Sequence, residues 1–504
     1  MTHTSPTQAT RTPAAGSDAS VAAIPADAAP DGPAAIAARL GARCGTCADG
    51  LGCLALPGGY CSSACDGAGS ASCAGACVQT GTLGPICMAS CASDADCRAA
   101  EGYTCDPIYH ACALPNLAAI APKQCAQDGQ PIAHDDEFAP SEIVGSGRAP
   151  VAAIGPQGAV ALFESRLEQP PAPATDLVDM WPPRAGDRGF AAAGDRSPAI
   201  ASTRGGLLMA WRDQLAPLDV PIVQPSGSAD WLVVDELGSD DDCGDCSAGP
   251  WLAASGDAVA ILFGGDPVGL RVKRSRDGGK SFGPAQAAAI GTRGAAALDR
   301  AGALHLVTLR GDAHGAYGSA MQSIEYSFEL GAPHVVSARD ELVPTFFAAP
   351  ALAVDSARRR VWIAYIRGGR DAVWDLVIAA TRDGGKTWTR TALGGGCATH
   401  LVPALAVDPK SGVLHATWFD NLGHPARYAH ATCTLAASGA PTCVDRGAIS
   451  SQPFARFDLG RGGASSLSER AALVVDDAHR TLHAFWSQPL ADGAHVIHAT
   501  AKLK

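Results

Sequence analysis

Seven short apolar stretches recur along this chain and align without gaps: APVAAIG (149–155), SPAIAST (197–203), GPWLAAS (249–255), RGAAALD (293–299), APALAVD (349–355), VPALAVD (402–408) and RAALVVD (470–476). Each is followed by a second apolar run, such as VAILFGG, LHLVTLR, VWIAYIR or LHATWFD. Short turns rich in Asp and Gly separate the two, as at Asp299–Gly302 and Asp408–Gly412, the chemistry a tight hairpin needs. A period of about fifty residues marks one structural unit repeated many times. The runs are apolar at nearly every position, which predicts strands covered on both faces.

Each unit therefore reads as an antiparallel meander of about four strands. Seven such sheets hide both faces only by packing radially around an axis, which is a β-propeller, with six blades as the alternative count. The seventh unit holds three strands, ending in HVIHATA (495–501). The missing strand is expected from the N-terminal side, where FAPSEIVG (138–145) resembles FGPAQAAAIG (282–291). Phe138–Gly145 is predicted to pair with the final strand and close the ring.

The text ahead of the repeats is different. Residues 1–43 are rich in Ala, Pro, Thr, Ser and Asp, the composition of a disordered tether. Of 18 cysteines, twelve fall between Cys44 and Cys112. A set this dense, with only His110 among it, predicts a disulfide framework rather than zinc, although Cys44/Cys47 and Cys243/Cys246 have ligand-like spacing. The organisation expected is a tether over 1–43, a cysteine-rich module over 44–126 and the propeller over 127–504. The module resembles the cysteine-rich repeats of secreted myxobacterial proteins. Cys433 and Cys443 flank a hairpin of unit six and are expected to form a cross-strand cystine. Cys243 and Cys246 suit a small loop cystine, and Cys125 and Cys397 remain as candidates to pair. No metal is expected; Asp94, Asp96 and the run Asp240, Asp241, Asp242 and Asp245 are the calcium candidates, against a solvated-loop reading that their irregular spacing favours.

These cysteines place the chain outside the reducing cytosol: extracellular, at the cell surface or in the periplasm. Residues 1–20 do not read as a secretory signal, so a signal or lipoprotein peptide is expected upstream. No stretch of 18 apolar residues suggests a membrane span. The net charge is −12, which argues against nucleic acid or an anionic membrane as partner. A monomer is expected.

One octet appears twice, SRDGGKSF (275–282) and TRDGGKTW (381–388). The pattern Ser/Thr-x-Asp-x-Gly-x-x-Phe/Trp resembles the Asp box of sialidase-like, BNR-repeat propellers, over roughly residues 138–504. Ser275, Asp277, Gly279 and Phe282 match one copy, and Thr381, Asp383, Gly385 and Trp388 the other. Locally, the carboxylate and hydroxyl can accept turn amides that no ladder reaches, and Gly permits positive φ. The resemblance implies that these hairpins lie opposite the ligand face and serve the scaffold.

The resemblance also implies a ligand site near the axis, at the loops after each second strand. The aligned ends there are Ser165, Asp213, Gly265, Arg310, Arg367, Asp420 and Gln488, with Arg212 and Tyr365 beside them. Two or three arginines could hold a carboxylate. A working sialidase would need three such arginines, a Tyr nucleophile with a Glu, and an Asp acid. The family's Phe/Tyr-Arg-Ile-Pro stretch is absent. The propeller's tyrosines are Tyr317, Tyr326, Tyr365 and Tyr428, and Glu325 and Tyr326, being adjacent on a strand, point to opposite faces. His305, His415 and His483 recur at one repeat position, which speaks for packing and turn bonding. The function expected is therefore a non-catalytic propeller for a glycan or protein ligand. The alternatives are an exo-acting glycoside hydrolase of the sialidase type and a structural envelope protein.

Overall fold

The computed structural model describes residues 39–114 and 133–504, apart from 45–46, 48–49, 55, 57, 66–72, 80–84, 108, 168–174, 183–189, 192–197, 216–217, 226–227, 229–231, 235–246, 266–268, 290–292, 311–322, 339–340, 342, 344–348, 369–373, 394–399, 421–425, 452–469 and 491–492. Seven four-stranded antiparallel sheets form the large part. The innermost strands of blades 1 to 7 are Arg148–Gly155, Ala199–Thr203, Ser247–Ser255, Arg293–Leu298, Ala351–Asp355, His400–Val407 and Ala472–Asp476. Each packs beside the next, and that of blade 7 packs beside that of blade 1. The ring is closed, with seven blades and not six.

Burial explains the unbroken apolar runs. In the second strand of blade 5, Arg360–Gly368, alternate side chains serve two cores. Trp362, Ala364 and Ile366 pack towards blade 6, while Val361, Ile363 and Tyr365 pack towards blade 4. Trp362, Trp418 and Trp486, on the second strands of blades 5, 6 and 7, are each at most 1% exposed. Burying a large apolar side chain is worth roughly 2–3 kcal/mol, so each interface is strongly driven.

Blade 7 takes its outermost strand from the other end of the sequence. Glu142–Ser146 pairs antiparallel with Gly493–Lys502, opposing Gly145 to Val496 and Ile143 to Ile497. Phe138 bridges Ala501. The strap also begins earlier than the sequence suggests. Asp135 N donates to Ala448 O and Ala448 N to Ala133 O, so residues 133–135 extend the outer edge of blade 6.

The cysteine-rich part contains three small hairpins, Gly52–Leu54 with Tyr60–Ser62, Ala76–Gln79 with Pro85–Met88, and Thr104–Asp106 with Ala111–Ala113. Their six disulfides obey one rule. Cys44–Cys53 and Cys47–Cys61, Cys65–Cys77 and Cys73–Cys87, and Cys91–Cys105 and Cys97–Cys112 each join first to third and second to fourth within a group of four. This is a threefold repeat that the sequence analysis does not detect. Asp96 accepts from Ala92 N and Ser93 N and so caps its own turn, while Asp94 accepts from Cys105 N and ties that turn to the strand Thr104–Asp106. Cys433 and Cys443 are bonded across the outer hairpin of blade 6. Cys125, Cys243, Cys246, Cys397, the run 240–245, Tyr317 and residues 1–38 lie outside the described residues.

Candidate functional site

Antiparallel blades put their connections on two opposite faces. Hairpins between first and second and between third and fourth strands share one face. Connections between second and third strands, and from each blade to the next, share the other.

The octets lie on the first of these faces, between the two outermost strands of blades 3 and 5. Asp383 Oδ1 accepts from Lys386 N and Thr387 N, both at 3.0 Å, and from Thr381 Oγ1 at 2.7 Å. Its second oxygen accepts from Thr387 Oγ1 at 2.6 Å. Asp277 repeats this with Ser275 and Ser281. The hydroxyls of Ser275 and Thr381 accept from Gly279 N and Gly385 N. The Ser275 hydroxyl, then Ser281, hold the Asp277 carboxyl far below the usual carboxylate range. Burial raises that of Asp383, but bonds from Thr387 and Thr381 outweigh it and the net shift is downward. The aromatic side chains pack each hairpin into the core shared by its own blade and the preceding one. Trp388 meets the Tyr326 ring of blade 4 edge-on at 5.2 Å, and Phe282 packs on a core that holds Leu208 and Val223 of blade 2. Neither carboxylate is near the axis.

On the opposite face, four of the residues singled out at the strand ends, Arg310, Arg367, Asp420 and Gln488, are bonded within their own neighbourhoods. Arg310 pairs with Glu325 of the next strand at 3.0 Å. Arg367 pairs with Asp375 at 2.6 Å, and Arg427 bonds Asp420 at 3.1 Å. Asp420 is 2% exposed. Gln488, also buried, accepts from Trp486 Nε1 at 3.2 Å. Arg212 and Asp213 lie on the second strand of blade 2, opposite Pro221 and Val220. Ser165 lies two residues before the end of the second strand of blade 1, opposing Leu177, and Gly265 ends that of blade 3, opposing Gly269.

Tyr365 and Arg367 are brought together by a residue the sequence analysis misses. Glu341, in the connection from blade 4 to blade 5, accepts from the Tyr365 hydroxyl at 2.7 Å and lies 3.6 Å from Arg367. The phenol is fully buried. Burial first, then the Glu341 charge, push its pKa far upward. It stands as a protonated donor.

The axis itself carries a different pair. Arg470, just ahead of the innermost strand of blade 7, donates through Nη1 to Pro198 O beside blade 2 and through Nη2 to Pro250 O of blade 3. Its guanidinium lies 5.5 Å from the Trp251 ring centroid. One side chain therefore spans from blade 7 past blade 1 to blades 2 and 3. Arg293 of blade 4 occupies the same repeat position across the ring.

No protein-family model matches the chain, and no curated protein matches it. Among solved structures it is similar to a Trypanosoma rangeli sialidase in complex with sialic acid, at 13% identity, covering 69% of this chain and 59% of that one, with a TM-score of 0.34. A prolyl endopeptidase structure gives 15%, 71%, 47% and 0.36 in the same order. NanB with Optactamide gives 9%, 71%, 68% and 0.35. The chain thus spans less than two thirds of the first two, and likenesses this remote carry no argument about activity.

Proposed function

We propose that this chain is a secreted or surface-tethered, non-catalytic binding protein. Its propeller takes a glycan or protein ligand at the axial mouth of the face opposite the octets. The observation that carries this reading is the Arg470 guanidinium held over the Trp251 ring at the axis. A planar cation donor beside an aromatic face suits a ligand with acidic and flat apolar surfaces. The six disulfides of residues 44–112 support an oxidising compartment.

A second reading, an exo-acting hydrolase of the sialidase type, is favoured by one contact, the Tyr365–Glu341 bond with Arg367 beside it. Burial of that phenol as a donor speaks against its use as a nucleophile. Incubation with a fluorogenic sialoside separates the two: no turnover is expected, and turnover abolished by Tyr365→Phe would establish the hydrolase instead. A glycan array then tests the binder. Binding is expected to fall at least about tenfold in Trp251→Ala and Arg470→Ala, as for loss of a central aromatic or arginine contact. Array binding unchanged in both variants would remove the axial site.

A further inference from the structure

In both octets the positions that the turn does not use carry cations. They are Arg276 and Lys280 in blade 3, and Arg382 and Lys386 in blade 5, all exposed. The hairpins between first and second strands emerge on the same face. They add Arg300 in blade 4, Arg359 in blade 5 and Lys410 in blade 6, also exposed. Blades 3 to 6 are consecutive, so these cations follow one arc around the face.

The acids of the same hairpins are turned to internal bonds. Asp277 and Asp383 hold the octets together. Asp299 accepts from Ala301 N and Ala303 N. Asp355 and Asp408 are buried beside Arg358 and Arg480. Glu329 pairs with Arg274, and Asp257 with Arg204. Arg276, Lys280, Arg300, Arg359, Lys386 and Lys410 meet no carboxylate among the described residues. The face thus presents outward positive charge on a protein whose net charge is −12, a local reversal that the total conceals.

We propose that the octet-bearing face of blades 3 to 6 is a docking surface for an anionic polysaccharide, a chain bearing sulfate, phosphate or uronate groups. An arc of separated cations matches an extended polymer better than one small anion. The hairpin tips at 276–281, 299–302, 356–359, 382–387 and 408–412 hold no large apolar side chain; Phe328 and Val335, flanking the outer hairpin of blade 4, are exposed, too small an apolar area for a surface that inserts into a bilayer. The surface is separate from the axial mouth and does not depend on it.

The test uses the full chain with fluorescent dextran sulfate, uncharged dextran and phosphatidylglycerol vesicles. Dextran sulfate is expected to bind, with affinity falling on the order of 100-fold between about 50 and about 200 mM salt. Replacing Arg276, Lys280, Arg300, Arg359, Lys386 and Lys410 by Gln should weaken binding at least about tenfold. Trp251→Ala should leave it unchanged. If the sixfold variant misfolds, the triples Arg276/Lys280/Arg300 and Arg359/Lys386/Lys410 should each lose part of the affinity and of the salt dependence. Absence of binding at low salt, equal binding by folded variants, loss in Trp251→Ala, or tighter binding to the vesicles at equal charge would each overturn the proposal.

Discussion

His430 Nδ1 lies 2.6 Å from Asp135 Oδ2, a contact between residues 295 positions apart. His430 Nε2 in turn lies 3.1 Å from His415 Nδ1, with the two rings stacked. Blade 7 repeats the arrangement. His498 Nδ1 lies 3.0 Å from Glu142 Oε1, and His498 Nε2 lies 3.1 Å from His483 Nδ1. Both acids belong to the strap that closes the ring, and each caps a histidine pair on the blade it joins.

These pairs make ring closure sensitive to acid. A bond between two ring nitrogens needs one lone pair, and two imidazolium rings have none to share. Burial first, then the neighbouring histidine, push His415 and His483 down to about 4. The charged groups around the first pair are Asp408, Glu137 and Asp135, and around the second Asp476, Lys502, His479 and Glu142. A histidine whose folded pKa is depressed contributes stability that is full above the unfolded value and lost as pH falls towards the folded one. For His415 the difference between 6.5 and about 4 is worth roughly 3 kcal/mol. Urea unfolding should show flat stability above about pH 6.5 and a steady fall from there to about pH 4. His415→Phe with His483→Phe should reduce that slope; an unaltered slope would show that other groups cause it.

The two octet glycines of blade 5 should respond unequally to alanine. At Gly385, φ is +94° and an added Cβ would meet Tyr326 Cε1 at 2.3 Å. At Gly384, φ is +76° but nothing lies within 4 Å. Gly384→Ala should cost about 1–2 kcal/mol, the strain of a left-handed residue. Gly385→Ala should cost about 1–3 kcal/mol more, for forced packing against blade 4. Equal losses by denaturant titration would remove Tyr326 as the seat of this hairpin.

The Cys433–Cys443 cystine closes a short loop, with a sequence separation of 10. Loop-closure entropy predicts that replacing both residues by Ala lowers stability by about 3 kcal/mol. Intact-mass measurement after alkylation verifies the bond first, and equilibrium unfolding then reads the cost.

Shortening the chain tests the strap. A chain starting at Ala133 retains Asp135, Phe138 and the pairing strand, and should unfold in one cooperative transition. A chain starting at Arg148 lacks all of them and exposes the edge of Gly493–Lys502. It should unfold at lower urea and protect blade 7 amides poorly in hydrogen exchange. Equal protection in both would mean that the strap adds little.

The blades were legible in the sequence because covering both faces of every strand leaves a long, regular apolar signal. Closure was legible by counting strands: three in the last unit require a fourth. The module's threefold order was not. Its cysteines keep their bonding order while the gaps between them vary, so spacing hides what connectivity repeats. At the site, aligning repeats located strand ends such as Arg310 and Arg367, but not their partners. Glu341 comes from a connection outside the repeated pattern, and nothing local to Arg470 signals that its side chain crosses to Pro198 and Pro250. His415 and His483 were placed by their repeat position, but not their partners His430 and His498, whose caps, Asp135 and Glu142, lie hundreds of residues away.

Blade 7 joins some of the earliest strand-forming residues of the propeller to the very last. During synthesis, Glu142–Ser146 must therefore wait, as an unmatched edge, while six blades and three more strands emerge. Until Gly493–Lys502 has been made, no intermediate can hold the finished ring. Whatever protects that waiting segment from pairing elsewhere governs how much of the protein matures.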